Sequence, residues 1–158
     1  MERKTKINAE EGRQDLIITR EFDLPLELLF KAYMEPDIVA QWMGTKVLKL
    51  ENKQHGSYQF ETSDAKGNVV FSAHGTIHEF SPEQRIVRTF EMDNAPFGVQ
   101  LEFLDFEALP GEKSKLSMHV IYRTAGHRDQ QLKLPFAYGI NMAHDRLQEV
   151  VTHLNNTL

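Results

Sequence analysis

The sequence predicts an α+β domain in which a curved antiparallel β-sheet wraps around a long C-terminal α-helix, with two short helices after the first strand. Three observations indicate this fold. Apolar residues alternate with a period of two through most of the stretch from 46 to 123, which favours strands joined by tight turns. From 136 to 158 the apolar residues recur with a helical period. Before the sheet, two short apolar stripes begin near Pro25 and Pro36, and proline suits the first turn of a helix.

Composition and charge exclude several classes of protein. A chain of 158 residues suits one domain, and 41% hydrophobic with 26% charged residues is ordinary globular composition. The formal charge of -5 argues against nucleic acid or an anionic membrane as a partner. Because the chain has no Cys, it cannot form thiolate zinc sites, iron–sulfur clusters or a cysteine nucleophile. The start has no signal-peptide pattern, and no apolar run approaches the roughly 20 residues that span a bilayer, so we expect a cytoplasmic protein.

The N-terminal part divides into a tail and the first elements of the domain. Residues 1–13 are polar and charged, so we expect a flexible tail, with residues 14–158 forming the domain. The run 15–22 is rich in β-formers and predicts the first strand. An apolar stripe over 26–33 predicts one short helix, and a second begins at Pro36 and ends at Gly44.

The middle of the chain predicts the rest of the sheet, as six strands separated by turn residues such as those at 64–68, 81–84 and 110–112. The final stretch predicts the clearest amphipathic helix, with Pro135 at its first turn and a shorter helical piece or loop over 127–133. Its apolar stripe consists of Phe136, Ile140, Ala143, Leu147, Val150, Val151, Leu154 and Leu158.

Several short motifs, in this order, resemble the START-like (SRPBCC) helix-grip superfamily, and within it the homologues of the activator of the heat-shock protein 90 ATPase. The resemblance covers about residues 15 to 155. One departure is His55-Gly56, where that family usually has two glycines. The motifs are Phe22-Asp-Leu-Pro25, Phe30-Lys-Ala32, Pro36 to Trp42, His55 to Phe60, Gly67-Asn68, His74-Gly75, Glu79 to Pro82, Arg85 to Phe90, and Gly139 to Leu147.

This resemblance implies a cavity between the sheet and the C-terminal helix, often apolar and often used for hydrophobic ligands. The superfamily includes lipid carriers, polyketide cyclases and co-chaperone domains, so the fold alone does not determine the chemistry. Three functions therefore remain open. The first is non-catalytic binding of a small hydrophobic molecule. The others are a co-chaperone-like interaction with a chaperone or another protein, and an enzyme of polyketide-cyclase type.

The sequence contains no pattern that we assign to catalysis, to a metal or to a cofactor. His74 and His78 have the spacing of a helical zinc pair, but residues four apart on a strand are roughly 13 Å apart. Both have the parity opposite to Phe71, Ala73 and Ile77, so we expect them to face solvent. No nucleophile elbow or phosphate-binding loop is present, and we predict neither a hydrolase nor a nucleotide site.

The aromatic and apolar residues of the strands and of the last helix are the candidates for the cavity. They fill a solid core or line a ligand site, and the sequence leaves both possibilities open. Arg88 shares the parity of Ile86 and Phe90, which would direct it inward, unless Val87 and Thr89 are the inward pair. Because the inward positions are nearly all apolar, the sequence argues against acid–base catalysis, although it leaves an enzyme open. The predicted lining residues are Trp42, Tyr58, Phe60, Phe71, Arg88, Phe90, Leu101, Phe103, Met118, Val120, Phe136, Ile140 and Ala143.

Overall fold

The structure, a computed structural model, describes residues 4–156 and has the predicted fold. Within these residues, eight antiparallel strands form a curved sheet, and two short helices follow the strand at 15–22. A long C-terminal helix lies against the sheet. Residues 1–3 of the predicted tail, and residues 157–158, lie outside the described residues.

The strands of the described chain are β1 (Lys6–Asn8), β2 (Asp15–Phe22), β3 (Lys46–Leu50), β4 (Ser57–Ser63), β5 (Val69–Ser81), β6 (Arg85–Met92), β7 (Gln100–Leu109) and β8 (Lys113–Ile121). Their order across the sheet is β1-β2-β8-β7-β6-β5-β4-β3. Strands β3 to β8 therefore form the predicted meander, and β2 extends its β8 edge.

The helices are α1 (Leu26–Met34), α2 (Pro36–Met43), α3 (Ala125–Lys133) and α4 (Phe136–Asn156). Gly44 ends α2 with a φ of 64°, a left-handed conformation that glycine adopts without a steric penalty. Pro135 directly precedes α4 and so interrupts none of its backbone hydrogen bonds. None of the helices in the described chain is long and apolar enough to cross a bilayer.

Alternate side chains along each strand face α4 and make up the concave face of the sheet. Register places Leu104 of β7 beside Met118 of β8 on this face, and both are buried. The buried positions of β2, β7 and β8 follow the same alternation and are Leu16, Ile18, Arg20, Phe22, Gln100, Glu102, Leu104, Phe106, Ser114, Leu116, Met118 and Val120.

The two ends of the concave face are covered differently. We call the end at Phe22 and Phe106 the lower end, and the end at Phe90 and Gln100 the upper end. The ring of Phe30 in α1 lies 4.9 Å from that of Phe106, so α1 covers the lower end.

Helix α4 runs from the upper end to the lower end. Gln148 Oε1 accepts a hydrogen bond from the backbone N–H of Asp23, which follows β2 at the lower end. Asp145 pairs with Arg20, two residues before the end of β2. The first turns of α4, which precede both contacts, therefore lie toward the upper end.

The first residues of the chain correct the predicted boundary. Instead of belonging to a flexible tail, Lys6–Asn8 pair with β2, and Thr5 is buried. The backbone N–H of Thr5 donates to Asn141 Oδ1 at 3.1 Å, and its Oγ1 lies 2.8 Å from His144 Nδ1. These partners on α4 are more than 130 positions away in the sequence, so local composition does not reveal them. The N-terminal strand thus holds α4 against β2.

We predict that Leu147→Ala lowers the free energy of unfolding by about 2–5 kcal/mol, since the mutation leaves a cavity in a fully buried part of α4. Urea denaturation followed by circular dichroism measures this. Glu149→Ala, at an exposed position of the same helix, is the control and should change little. Equal stability of the two variants would contradict the packing of α4 described above.

We also predict that stability falls as the pH drops from about 6.5 toward 4, because of His144. Burial, reinforced by nearby Arg20, lowers the pKa of this histidine to about 4. The unfolded chain therefore binds the proton at a higher pH than the folded one, and protonation favours unfolding. Over the whole interval the loss is about 3 kcal/mol. The free energy of unfolding, measured by denaturation between pH 7 and 4.5, should fall less steeply with decreasing pH for His144→Gln than for His153→Gln, which replaces an exposed histidine. The same pH dependence in both variants would show that His144 is not its cause.

Candidate functional site

Two charged side chains face α4 from the middle of the sheet. Arg88 of β6 and Glu102 of β7 are register partners, and their side chains are only 13% and 6% exposed. Arg88 Nε donates to Glu102 Oε1 at 2.9 Å, and Gln100 Nε2 donates to Glu102 Oε2 at 2.7 Å. Each oxygen of the buried carboxylate therefore has a donor, which offsets part of the free-energy cost of burying its charge.

Buried tyrosines complete this polar cluster. The guanidinium carbon of Arg88 lies 5.2 Å from the centre of the Tyr58 ring, a cation–π contact. Burial raises the pKa values of the Tyr33, Tyr58 and Tyr122 hydroxyls well above their ordinary range, so all three are neutral. Tyr58 Oη donates to the backbone carbonyl of Thr89. Tyr122 Oη is buried and has no hydrogen-bond partner in the part of the chain that the structure describes.

Gly75 in β5 allows the Tyr58 ring to lie where it does. A Cβ atom added to Gly75 would lie 2.0 Å from the Thr89 carbonyl oxygen and 2.6 Å from Tyr58 Oη. Any other residue would push away either strand β6 or the tyrosine. The glycine of the His74-Gly75 motif thus helps to position the face on which Arg88 stacks.

The polar cluster separates two apolar clusters among the described residues. Across the sheet, Ile77, Arg88 and Glu102 follow one another in register, and Val120 comes next. Ile77 belongs to a small cluster with Val39, Tyr58 and Phe60, whereas Val120 belongs to the large cluster that includes α1 and α4. The charged pair therefore lies on the boundary between them.

The upper end of the concave face is incompletely covered. In the described part of α4, the fully buried side chains are His144, Leu147 and Val151, all in or beyond its third turn. Toward the upper end, apolar side chains of the concave face and of the first turns of α4 are only half-buried. We call these half-buried positions together the upper groove, and they are Phe71, Phe90, Met92, Phe136 and Ile140. Phe71 and Phe90 pack against a small apolar cluster of the sheet, whereas Phe136 and Ile140 pack against the large one.

The structure brings most of the predicted lining residues to the concave side, in two environments. Tyr58, Phe60, Met118 and Val120 are buried in the two clusters. Phe71, Phe90, Phe136, Ile140 and Ala143 are half-buried. Trp42 is buried at the lower end, where its indole N–H donates to the Ala32 carbonyl and its ring lies 5.1 Å from that of Tyr33.

Leu101 and Phe103 were assigned to the wrong face. They alternate with buried Gln100, Glu102 and Leu104, and so lie on the convex side of the sheet. The ring of Phe103 contacts that of His119, which also faces outward. The sequence predicts nearly all inward positions to be apolar, but besides Arg88 the structure places the polar side chains of Arg20, Gln100 and Glu102 there.

Sequence reasoning missed Gln100, Glu102, Tyr122 and Tyr33. Strand β7 has apolar residues at both parities, Leu101 and Phe103 at one and Leu104 and Phe106 at the other, so alternation alone does not decide its inner face. The register with β8 decides it, since Met118 pairs with Leu104. The sequence offered one signal for Glu102: an inward-facing Arg88 requires an acidic partner on a neighbouring strand.

The histidines form no metal centre. His74 and His78 are exposed, as their parity predicts. His74 Nδ1 lies 2.8 Å from Asp93 Oδ1 on the convex face, and His119 Nε2 lies 2.7 Å from Asp15 Oδ2. Within residues 4–156, no three His, Cys, Asp or Glu side chains are arranged to hold a metal ion.

Comparison with protein families identifies the chain's relatives. Residues 23–152 match the family described as "Activator of Hsp90 ATPase homolog 1-like protein". The chain belongs to this family. The match extends from the residue after β2 to the last turns of α4, so it includes the polar cluster and the upper groove. Family membership suggests ligand binding or a chaperone interaction in general terms.

Solved structures share the family's fold. A crystal structure of a protein from Rhodobacter sphaeroides has 21% identity and a TM-score of 0.82, and the alignment covers 94% of this chain and 99% of that one. A protein from Mycobacterium smegmatis is 15% identical over 92% of this chain and 95% of its own, with a TM-score of 0.82. A third, from Nitrosomonas europaea, is 17% identical over 93% and 99%, with a TM-score of 0.78. Among curated proteins, nothing matches.

We predict that Arg88→Met lowers the free energy of unfolding by about 3–5 kcal/mol, because it leaves the Glu102 carboxylate buried without its partner. The double variant Arg88→Met, Glu102→Leu should be more stable than Arg88→Met, since no lone charge remains. Arg85→Met is the matched control. Arg85 lies on the same strand and pairs with Asp105 on β7, but both side chains are about half exposed, so little change is expected. Guanidinium denaturation of the natural chain and the three variants measures these differences. A double variant that is less stable than Arg88→Met would contradict this account.

Proposed function

We propose that the chain binds a small, mostly apolar molecule in the upper groove, between the sheet and the first turns of α4. One observation carries this proposal: large apolar side chains on the concave side are only half-buried at the upper end, whereas the inward positions of β2, β7 and β8 nearer the lower end are buried. A curved sheet with a helix across it encloses space wherever the helix is not fully packed. Concave and mostly apolar surfaces with a few polar groups are the usual form of small-molecule sites.

The energetics support binding of moderate affinity. Covering apolar surface gains about 25 cal/mol per Å² removed from water. A ligand that covers the exposed parts of Phe71, Phe90 and Ile140, and buries its own surface against them, offsets the cost of association and reaches roughly micromolar affinity. Arg88 lies on the same face of β6 as Phe90, so it is the charged side chain that we propose gives the molecule a polar contact.

A co-chaperone-like interaction is the second candidate function, and the family description favours it. It predicts that the protein stimulates or inhibits the ATPase of a chaperone of the Hsp90 class. Changes inside the groove should leave such an effect intact if the interaction uses the outer surface. The ATPase rate, with and without the protein, therefore separates the two functions.

We predict that Ala143→Phe abolishes binding of an apolar probe. Ala143 is half-buried on the apolar stripe of α4, so a phenyl ring there occupies space that a ligand would use. The probe is N-phenyl-1-naphthylamine, whose fluorescence rises in apolar surroundings. The matched control, Met142→Phe, places the same ring at a neighbouring exposed position and should bind as the natural chain does.

Stability distinguishes the groove from a solid core. If space is available, the Ala143→Phe variant keeps or raises the melting temperature, whereas overpacking of a filled core destabilises by about 1–3 kcal/mol. A clearly lower melting temperature, together with no probe binding by the natural chain, would refute the proposed function.

A further inference from the structure

The convex face of the sheet differs between its two ends. Toward the lower end, the outward side chains of β2, β6, β7 and β8 are polar or charged, as expected for a strand face in water, and include Thr19, Glu21, Arg85, Asp105, Glu107, Lys115 and Ser117. Toward the upper end, apolar side chains occupy outward positions of the same four strands. We call them the outer patch, together with Val99, which directly precedes β7. Its residues are Ile17, Val87, Val99, Leu101, Phe103 and Ile121.

The strand register makes the outer patch continuous. One row crosses all four strands and consists of Ile17, His119, Phe103 and Val87. In the adjoining row Leu101 and Ile121 are register partners. Ile17 and Val99 are 42% and 45% exposed, and the other apolar members are half-buried. A preference for β-formers does not explain the patch, because the same strands carry polar residues further along. A continuous exposed apolar patch with a polar rim indicates an interaction surface.

The charges around the outer patch are balanced. Arg13 pairs with Asp15 at its upper border, and Arg85 pairs with Asp105 at its lower border. The whole chain carries a formal charge of -5, so two copies repel each other on average. Two faces whose charges are balanced meet without an excess of like charge. Nucleic acid or an anionic membrane would instead require an excess of positive charge at this surface.

A hollow at the upper end of the outer patch gives this surface a shape that a second copy can match. Its volume is about 420 Å³, and its lining consists of Glu91, Gly98, Val99, Leu101, Ile121, Tyr122 and Arg123. Phe103 and Ile17 lie beside it on the same face. An interface between copies related by a two-fold axis is self-complementary, so projecting side chains of each copy meet hollows of the other. The outer patch contains both kinds of feature.

The area and position of the outer patch favour a weak dimer. Strands lie about 4.8 Å apart and residues rise about 3.3 Å, so four strands and five positions along each cover roughly 300 Å² in projection. A standard interface buries about 800 Å² of accessible surface per partner, so the contact also includes the polar rim. Strands β8 and β7 are third and fourth in the order of eight, close to the middle of the sheet, where two outward-curving faces touch first.

We infer that two copies of the chain associate through their outer patches, related by a two-fold axis. The inference is independent of the proposed function, because the upper groove lies on the concave side of the sheet. In this dimer both grooves face away from the interface, so each copy binds its ligand separately.

Sedimentation equilibrium tests the inference on the natural chain. We expect a reversible equilibrium of monomer and dimer with a Kd of roughly 1–100 μM. Ile17→Lys places a charge in the outer patch at an exposed position and should weaken the dimer at least about tenfold. Phe103→Lys should act in the same direction. Glu107→Gln is the control, since it changes the net charge equally at an exposed position of the same face toward the lower end, and its Kd should stay within about twofold. Circular dichroism checks that each variant is folded.

Each other outcome overturns the inference in a different way. A natural chain that stays monomeric through this concentration range excludes the dimer. A dimer that is unchanged in Ile17→Lys uses another surface, and this comparison stands even if Phe103→Lys fails to fold. Equal weakening in Glu107→Gln assigns the effect to net charge rather than to the outer patch. A mass that continues to rise beyond the dimer indicates head-to-tail association and excludes the two-fold axis.

Discussion

The buried pair of Arg88 and Glu102 is the constraint on which the rest of the concave face depends. Two charges removed from water require close hydrogen bonds, and Glu102 obtains them from Arg88 and Gln100. These groups occupy neighbouring inward positions of β6 and β7, where they interrupt the row of apolar side chains across the sheet. The apolar side chains divide into a large cluster against α1 and α4 and a small one around β4 and β5.

This division explains how α4 is held. Leu147 and Val151 in its second half pack against the large cluster. Thr5, which directly precedes β1, contacts His144 of the helix. Its first turns contact the same cluster through Phe136, Ile140 and Ala143, which are only half-buried. The fully buried side chains in the described part of α4 therefore lie beyond its second turn, and its first turns make fewer buried apolar contacts. Regions with few such contacts are the ones that open or adapt most readily in folded proteins.

The sequence predicted the elements well but not every inward face. Periods of two and 3.6 identify the strands and α4 because one face of each is buried, and turn residues mark most of their ends. The inward face of β7 was predicted wrongly because apolar residues occupy both alternating sets of positions, Leu101 and Phe103 in one and Leu104 and Phe106 in the other. Only the pairing with β8 decides which set faces inward. Arg88 was left open for the same reason: its inward position becomes favourable only when Glu102 lies beside it. Strand β1 was not predicted, because the contacts beside it, such as those of Thr5 with α4, join residues that are far apart in the sequence.

The chemistry of arginine explains why this residue type suits the inward position at 88. The Nε and Nη donors of a guanidinium point in fixed and different directions, so Arg88 can pair with Glu102 through one edge while the other remains directed away from it. A lysine has a single nitrogen, and the carboxylate would compete with any ligand for it. Glutamine or tyrosine at this position would leave Glu102 without a counter-charge. The buried pair therefore uses the residue type whose guanidinium can hydrogen-bond to Glu102 and at the same time stack on the Tyr58 ring.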